Sequence, residues 1–272
     1  MNAIHPRRAA AAILLLGLAA SGAHADGGAP QALDRVSLWL GGYYPDTAFD
    51  LGAQSATQAD LAGHLHVNAG RETVGRARLD FLVLGSQGFT LDYYTLDRTR
   101  SQHLANDFNY GGVPFQIDSD LAAQVKFSAG SAAWHWWFGN DADVFGIGLG
   151  ATYYKVGIDL DGHADVNGQN LAASAGWSDD AVAPLLTLGF KHAFSESLRV
   201  YATASGVRKN GGALAGHIVD ARVGVEWFPW HNVGFGAEYG STRIHLHRDA
   251  QHYDARLDID LDGPALFARL RF

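Results

Sequence analysis

The chain has 272 residues, no cysteine, one methionine, 33 glycines and 31 aromatics (7 Trp, 10 Tyr, 14 Phe). Charged residues make up 18%, with 20 basic against 28 acidic side chains, and the mean hydropathy is −0.06. These figures exclude a bundle of membrane helices, a disordered chain, a disulfide scaffold and a thiolate metal site, and they make nucleic acid an unfavourable partner.

The first element in chain order is a leader. Arg7 and Arg8 precede an apolar run from Ala9 to Ala20, and Ala23-His24-Ala25 supplies a small-residue cleavage site. A basic start, a dozen apolar residues and an A-x-A triplet describe a signal peptide over residues 1–25, too short to span a bilayer as a helix. Residues 26–272 then form one domain beginning at Asp26. Removing two arginines leaves 18 basic against 28 acidic groups, a net charge of −10.

Period-two alternation follows and no window keeps a helical period. Phe145, Ile147, Leu149, Ala151 and Tyr153 alternate with Gly146, Gly148, Gly150, Thr152 and Tyr154. The same pattern recurs over 198–205, 219–227 and 233–240, so each strand has one apolar and one small-or-polar face. Ten strands are predicted, near 34–47, 70–84, 88–99, 119–138, 143–160, 180–194, 197–208, 216–228, 232–247 and 262–272. Tight turns fall at 85–88, 139–143, 195–197 and 229–232. Longer polar stretches at 48–68, 100–118, 161–179, 208–215 and 248–261 are expected to be loops.

Strict alternation of short and long links with an even strand count predicts an all-β fold, a transmembrane antiparallel up-and-down β-barrel. Aromatics near the tight turns (Phe89, Trp137, Phe138, Phe145, Phe194, Trp227, Phe228, Trp230, Phe272) and near the long links (Tyr43, Tyr44, Tyr93, Tyr94, Tyr153, Tyr154, Tyr239) are expected to form two interfacial girdles.

The ending Asp262-Gly263-Pro264-Ala265-Leu266-Phe267-Ala268-Arg269-Leu270-Arg271-Phe272 resembles the last strand of Gram-negative outer-membrane barrels, a terminal Phe preceded by apolar residues at alternate positions. The stretch from Arg78-Leu79-Asp80-Phe81 to Tyr93-Tyr94 is similar to the small barrels of the OmpA-transmembrane, OmpX and OmpW kind. The resemblance implies an integral outer-membrane location with both termini periplasmic. It also implies contact with outer-membrane lipids and lipopolysaccharide, and recognition of Leu266, Leu270 and Phe272 by the barrel-assembly machinery. A monomer is expected, without a cofactor.

Strand parity sends Arg35, Arg78, Asp80, Asp92, Lys191, Arg199, Asp220, Arg222, Glu226, Glu238, Arg269 and Arg271 into the lumen. Ten strands enclose little more space than side chains fill, and charges withdrawn from water need partners. An ion-pair network of Arg78, Asp80, Asp92, Asp220, Arg222 and Glu238 is therefore expected to plug the barrel, with Arg222 opposite Glu238 and Asp80 beside Asp92. The function expected is an envelope-structural or surface-interaction role. The alternatives are a narrow channel for small solutes and a lipid-modifying enzyme.

No catalytic residues are assigned. Ser241 and His245 lie about 13 Å apart along a strand, out of hydrogen-bond reach. The paired aspartates and Asp–His couple of omptin-like proteases have no recognisable counterpart. No metal site is assigned either, although His217, His245 and His247 share one face and imidazoles so grouped suit zinc or copper. Asp161, Asp165, Asp179 and Asp180, and Asp249, Asp254, Asp258, Asp260 and Asp262, match no calcium loop. Gly146-Ile147-Gly148-Leu149-Gly150 lies within a strand, and its glycines are read as room for facing side chains.

Overall fold

The computed structural model describes residues 30–55, 62–71, 73–103, 108–110, 113–115, 120–166, 169–211, 214–250 and 253–272. The leader over 1–25, the side chains of Asp165, Asp249 and Asp254, and His252 lie outside the described residues.

In chain order the elements are β1 Val36–Tyr43, β2 Asp46–Ser55, β3 Ala62–Arg71, β4 Val74–Leu84, β5 Gln87–His103, β6 Phe108–Tyr110 and β7 Val113–Phe115. They continue with β8 Asp120–Gly139, β9 Asp143–Val166, β10 Gln169–Ala193, β11 Leu198–Lys209, β12 Leu214–Trp227, β13 Val233–Ala250 and β14 Tyr253–Arg271. The ring runs β1-β4-β5-β8-β9-β10-β11-β12-β13-β14, and β14 closes it by pairing antiparallel with β1, Ser37 against Arg271 through Tyr43 against Ala265. This is a closed ten-strand antiparallel barrel, and closure leaves no free edge in the ring. β2 and β3 prolong β1 and β4 upward, with β2 laid on the upper part of β14. β6 and β7 form a separate small hairpin.

The four tight turns stand where alternation stops, and both described termini lie at their end of the barrel. Gly139 closes one turn at φ +141, where a Cβ would collide with the Asp143 backbone, so glycine is required there. The opposite end departs from expectation. Most of 48–68, 161–179 and 248–261 is strand rather than loop, because the ladders run on: β9 and β10 pair from Asp143–His192 up to Val166–Gln169.

The reason is an inversion of polarity along the wall. In the short-turn half the outward residues are apolar. On β9 they run Phe145, Ile147, Leu149 and Tyr153, all strongly exposed. Eight steps of about 3.3 Å, tilted by about 40°, give an apolar band about 20 Å tall between its framing rings, the dimension of a membrane-facing belt. Higher up the faces exchange character. Leu257, Ile259 and Leu261 turn inward and are fully buried, whereas Asp258, Asp260 and Asp262 on the same strand turn outward. Acyl chains are the outer solvent below and water is the outer solvent above, so the same period-two rule puts opposite residue types outside.

Parity also corrects the girdles. Tyr44, Tyr93, Tyr153 and Tyr239 are exposed outside, but their neighbours Tyr43, Tyr94 and Tyr154 point in, as do Trp137 and Phe228. Consecutive side chains on a strand take opposite faces, so each Tyr-Tyr pair divides between lipid and lumen.

Candidate functional site

The lumen is filled in three tiers. At the short-turn mouth the segment 30–34 crosses the opening. Ala32 N–H donates to Asp141 O at 3.0 Å, and Ala32 and Leu33 are buried against Trp137, Val144 and Ala193. Asp34 follows with its side chain 4% exposed. It accepts from Arg199 Nη1 at 2.7 Å and pairs with Arg269 Nη2 at 3.1 Å. Arg269 also donates to Glu226 and, at 2.8 Å, to Ser37 Oγ. Burial by itself would raise the Asp34 carboxyl, but Arg269 and Arg199 outweigh it and hold it below the ordinary carboxylate value.

The middle tier is a branched ion network. Arg222 donates through Nη1 to Glu238 Oε1 at 3.0 Å, and through Nε and Nη2 to the two Asp220 oxygens at 2.9 and 2.6 Å. Glu238 also pairs with Arg76 Nη1 at 3.3 Å and accepts from the Tyr201 hydroxyl at 2.5 Å. Arg76 holds Asp92 through both carboxylate oxygens. Arg78 Nε and Thr90 Oγ1 both donate to Asp80 Oδ1, at 2.9 and 2.6 Å. The Arg222 guanidinium lies 5.0 Å above the Tyr43 ring, and the Tyr43 hydroxyl is fixed to the Gly240 and Leu261 carbonyls.

The third tier is apolar. Leu96, Phe127, Tyr154, Val156, Ile158, Ile244, Ile259 and Leu261 are each at most 1% exposed and form one cluster across the upper barrel. Below it, a cavity of about 100 Å³ separates the ion network from small residues of β8–β11 such as Ala133, Thr152 and Ser205. That volume suits a few water molecules.

The six residues expected to form the lumen network all face inward, but two registers differ from expectation. Arg222 stands opposite Gly240, while Glu238 opposes Gly224, so Arg222 reaches Glu238 diagonally. An irregularity between Leu82 and Leu84 shifts the first hairpin, so Arg78 opposes Asp92 and Asp80 opposes Thr90. Arg35, expected inside, is exposed at the mouth. Two inward charges were not expected. Arg76 shares the parity of Arg78 two residues away and was legible in the alternation. Asp34 falls in the strand predicted over 34–47, where the parity that turns Arg35 inward turns it outward; the strand in fact begins at Val36, and Asp34 belongs to the segment that crosses the mouth. The described inward charges are then Arg76, Arg78, Lys191, Arg199, Arg222, Arg269 and, at the mouth, Arg271 against Asp34, Asp80, Asp92, Asp220, Glu226 and Glu238.

The strand glycines do make room for facing rings: a Cβ on Gly146 would lie 2.6 Å from the Trp137 indole, and one on Gly148 2.6 Å from the His135 imidazole.

Outside the wall, His217 opposes His245 with ring centroids 4.6 Å apart, and His245 Nδ1 lies 2.8 Å from Asp258 Oδ1. His247 follows on the same outward face, opposite Ala215. Among the described residues, no group of three or more His, Asp or Glu is placed to hold a metal ion. Ser241 lies opposite Asp262, outside the lumen. Leu266, Leu270 and Phe272 ride at the outer surface, with Leu266 and Phe272 about 70% exposed.

No protein-family model matches this sequence, and neither does any curated protein. Among solved structures the chain is similar to the outer-membrane protease OmpT of Escherichia coli, with 8% identity over 87% of this chain and 96% of that one and a TM-score of 0.59. Weaker likenesses include OprG of Pseudomonas aeruginosa (11% identity, 90% and 98% covered, TM-score 0.38) and the Pseudomonas putida toluene transporter TodX (9%, 90% and 93%, 0.35). The likeness to OmpT is one of fold: a ten-strand outer-membrane β-barrel. Chemistry does not follow from fold.

Proposed function

We propose that this protein is a monomeric, non-conducting barrel of the bacterial outer membrane whose task is to hold a rigid β-structured surface outside the cell. In this reading the short turns and both termini face the periplasm and the long hairpins stand in water. The observation that carries it is the side-chain filling of the lumen. Three successive fillings occupy the bore: the Asp34 segment, the buried ion network and the apolar cluster. Solute transport would have to displace all three, and breaking the charged tier alone costs several kcal/mol per separated partner.

The apolar upper lumen also explains why the barrel outlasts the membrane. A soluble-style core stiffens the projecting hairpins, as a structural or surface-interaction role requires. Outer-membrane lipids surround the lower half, and the assembly machinery reads the outward edge residues Leu266, Leu270 and Phe272. Catalysis is not part of the proposal.

Planar-bilayer recording of the refolded chain tests the seal. No steady single-channel conductance is expected, and a reproducible open level would overturn the reading in favour of a narrow channel. A peptide tag inserted at 167–168 should be reached by antibody on intact cells, and one at 141–142 should not. The converse labelling would reverse the orientation.

A further inference from the structure

Among the described residues, Lys191 is the lumenal base that makes no ion pair. Its side chain is buried, no carboxylate lies within 4.0 Å of Nζ, and its contact is the Trp137 ring, 5.0 Å to the centroid. Two further donors nearby are uncommitted. Arg269 Nε is buried without a hydrogen-bond partner, although both Nη groups of that residue are engaged. Arg78 gives only its Nε, to Asp80, which leaves its Nη groups over. An ammonium and an N–H taken out of water without partners are costly placements, and here they converge.

The registers show why. Trp39 opposes Arg78 of β4 on one side and Arg269 of β14 on the other, so Arg78, Trp39 and Arg269 form one row on the inner wall. β10 stands across the ring from β1, and Lys191, opposite Tyr201 of β11, reaches toward that row. A cavity of about 10 Å³ lies between them. Its charged lining is Arg76, Arg78, Lys191 and Arg269 against Glu226 and Glu238. Four cations thus face two carboxylates, and both carboxylates are already taken, Glu226 by Arg269 and Glu238 by Arg76 and Arg222.

A second cavity, of about 20 Å³, shares Lys191 and Arg269 with the first but is bordered by Asp34 and Asp80. Its charges cancel, two against two, so it suits water. The first cavity carries an excess of positive charge and suits an anion. A void of this size admits a single particle no larger than a water molecule or a halide ion, which excludes phosphate and sulfate. Water could accept from the free donors, but only an anion also offsets the surplus charge.

We propose that the lumen seats one monatomic anion, chloride or another halide, between Lys191 Nζ, Arg269 Nε and the Arg78 guanidinium. The ion completes the charged tier by joining the β10 wall to the β4-β1-β14 wall.

Urea titration of the full refolded chain in detergent tests it, in potassium chloride and in potassium gluconate at equal ionic strength, since gluconate is too large for the cavity. Chloride should favour folded wild type over gluconate by about tenfold in the unfolding equilibrium, the linkage for a ligand at about ten times its dissociation constant. K191M should abolish that difference, with K191Q in its place should K191M not fold, and R208A on the outer wall should keep it. Crystals of barrel refolded in bromide should show anomalous density between Lys191 and the row of Arg78, Trp39 and Arg269. Equal wild-type midpoints in the two salts overturn the site. So does a chloride effect of wild-type size in the Lys191 variants, or one lost equally in R208A. Bromide density absent from the cavity overturns the placement of the ion. These are equilibrium measurements and do not depend on whether the barrel conducts.

Discussion

Arg222 is the residue whose loss should be felt most sharply in the middle of the lumen. Its side chain is 3% exposed and satisfies Asp220, Glu238 and Thr242 at once while lying on the Tyr43 ring. Arg222→Ala leaves Glu238 with Arg76 and Tyr201 and leaves Asp220 with Thr242. Removing one partner of a buried pair costs about 3–5 kcal/mol. The surviving contacts set this case near the lower limit, about 3 kcal/mol, or roughly a hundredfold in the unfolding equilibrium. Urea titration in detergent, followed by the gel shift between folded and unfolded barrel, measures it. The double variant Arg222→Met/Asp220→Asn removes both charges and should recover part of the loss, because Asp220 is the carboxylate left with Thr242 alone once the guanidinium is gone. If Arg222→Ala unfolds at the wild-type urea concentration, the network does not hold the barrel together and the account of the lumen fails.

Polarity inversion along the wall makes opposite predictions for neighbouring positions. Ile259→Asp should cost several kcal/mol by placing a charge in the upper apolar cluster, whereas Asp260→Ser beside it should change stability by less than about 0.5 kcal/mol; equal effects in urea titration would contradict the inversion. Leu188→Arg on the membrane-facing wall should cost about 2–4 kcal/mol in lipid vesicles, and a neutral result would place that row outside the bilayer. Gly146→Ala should push the Trp137 indole aside and cost about 1–3 kcal/mol, visible as altered near-UV circular dichroism, and an unchanged spectrum would refute the close contact. Asp34 gives the acid dependence. Its carboxyl lies lower folded than unfolded, so its contribution is fully present above the ordinary value near 3.8 and fades as pH falls through the folded one. Asp34→Asn should therefore flatten the acid limb of the stability curve, and an identical limb would show that the Asp34 ion pairs do not stabilise the fold.

Much of the barrel was legible in the chain because a strand between two solvents must alternate, and these strands do. The four tight turns followed from where alternation breaks. The long links are strand where loop is expected, because a charged residue on one face does not end a ladder. In Leu257-Asp258-Ile259-Asp260-Leu261-Asp262 the alternation is unbroken and only the partner of each face has changed. The period says strand, and composition says only which solvent the strand meets. The lumen charges were visible from parity, Arg76 included. Their pairing was not, since one irregularity between Leu82 and Leu84 moves every partner in the first hairpin.

The sequence by itself determined a closed all-β wall, because alternating faces with short and long links have few other ways to bury their backbone polar groups beside lipid. It also determined which residues share a face, since that is set by chain geometry alone. Only the tertiary structure decided the diagonal reach of Arg222 to Glu238, the capping of the mouth by Asp34 and the cavity between Lys191, Arg78 and Arg269. Each joins strands through ring closure, register and tilt, and these are properties of the assembled barrel that no single strand encodes.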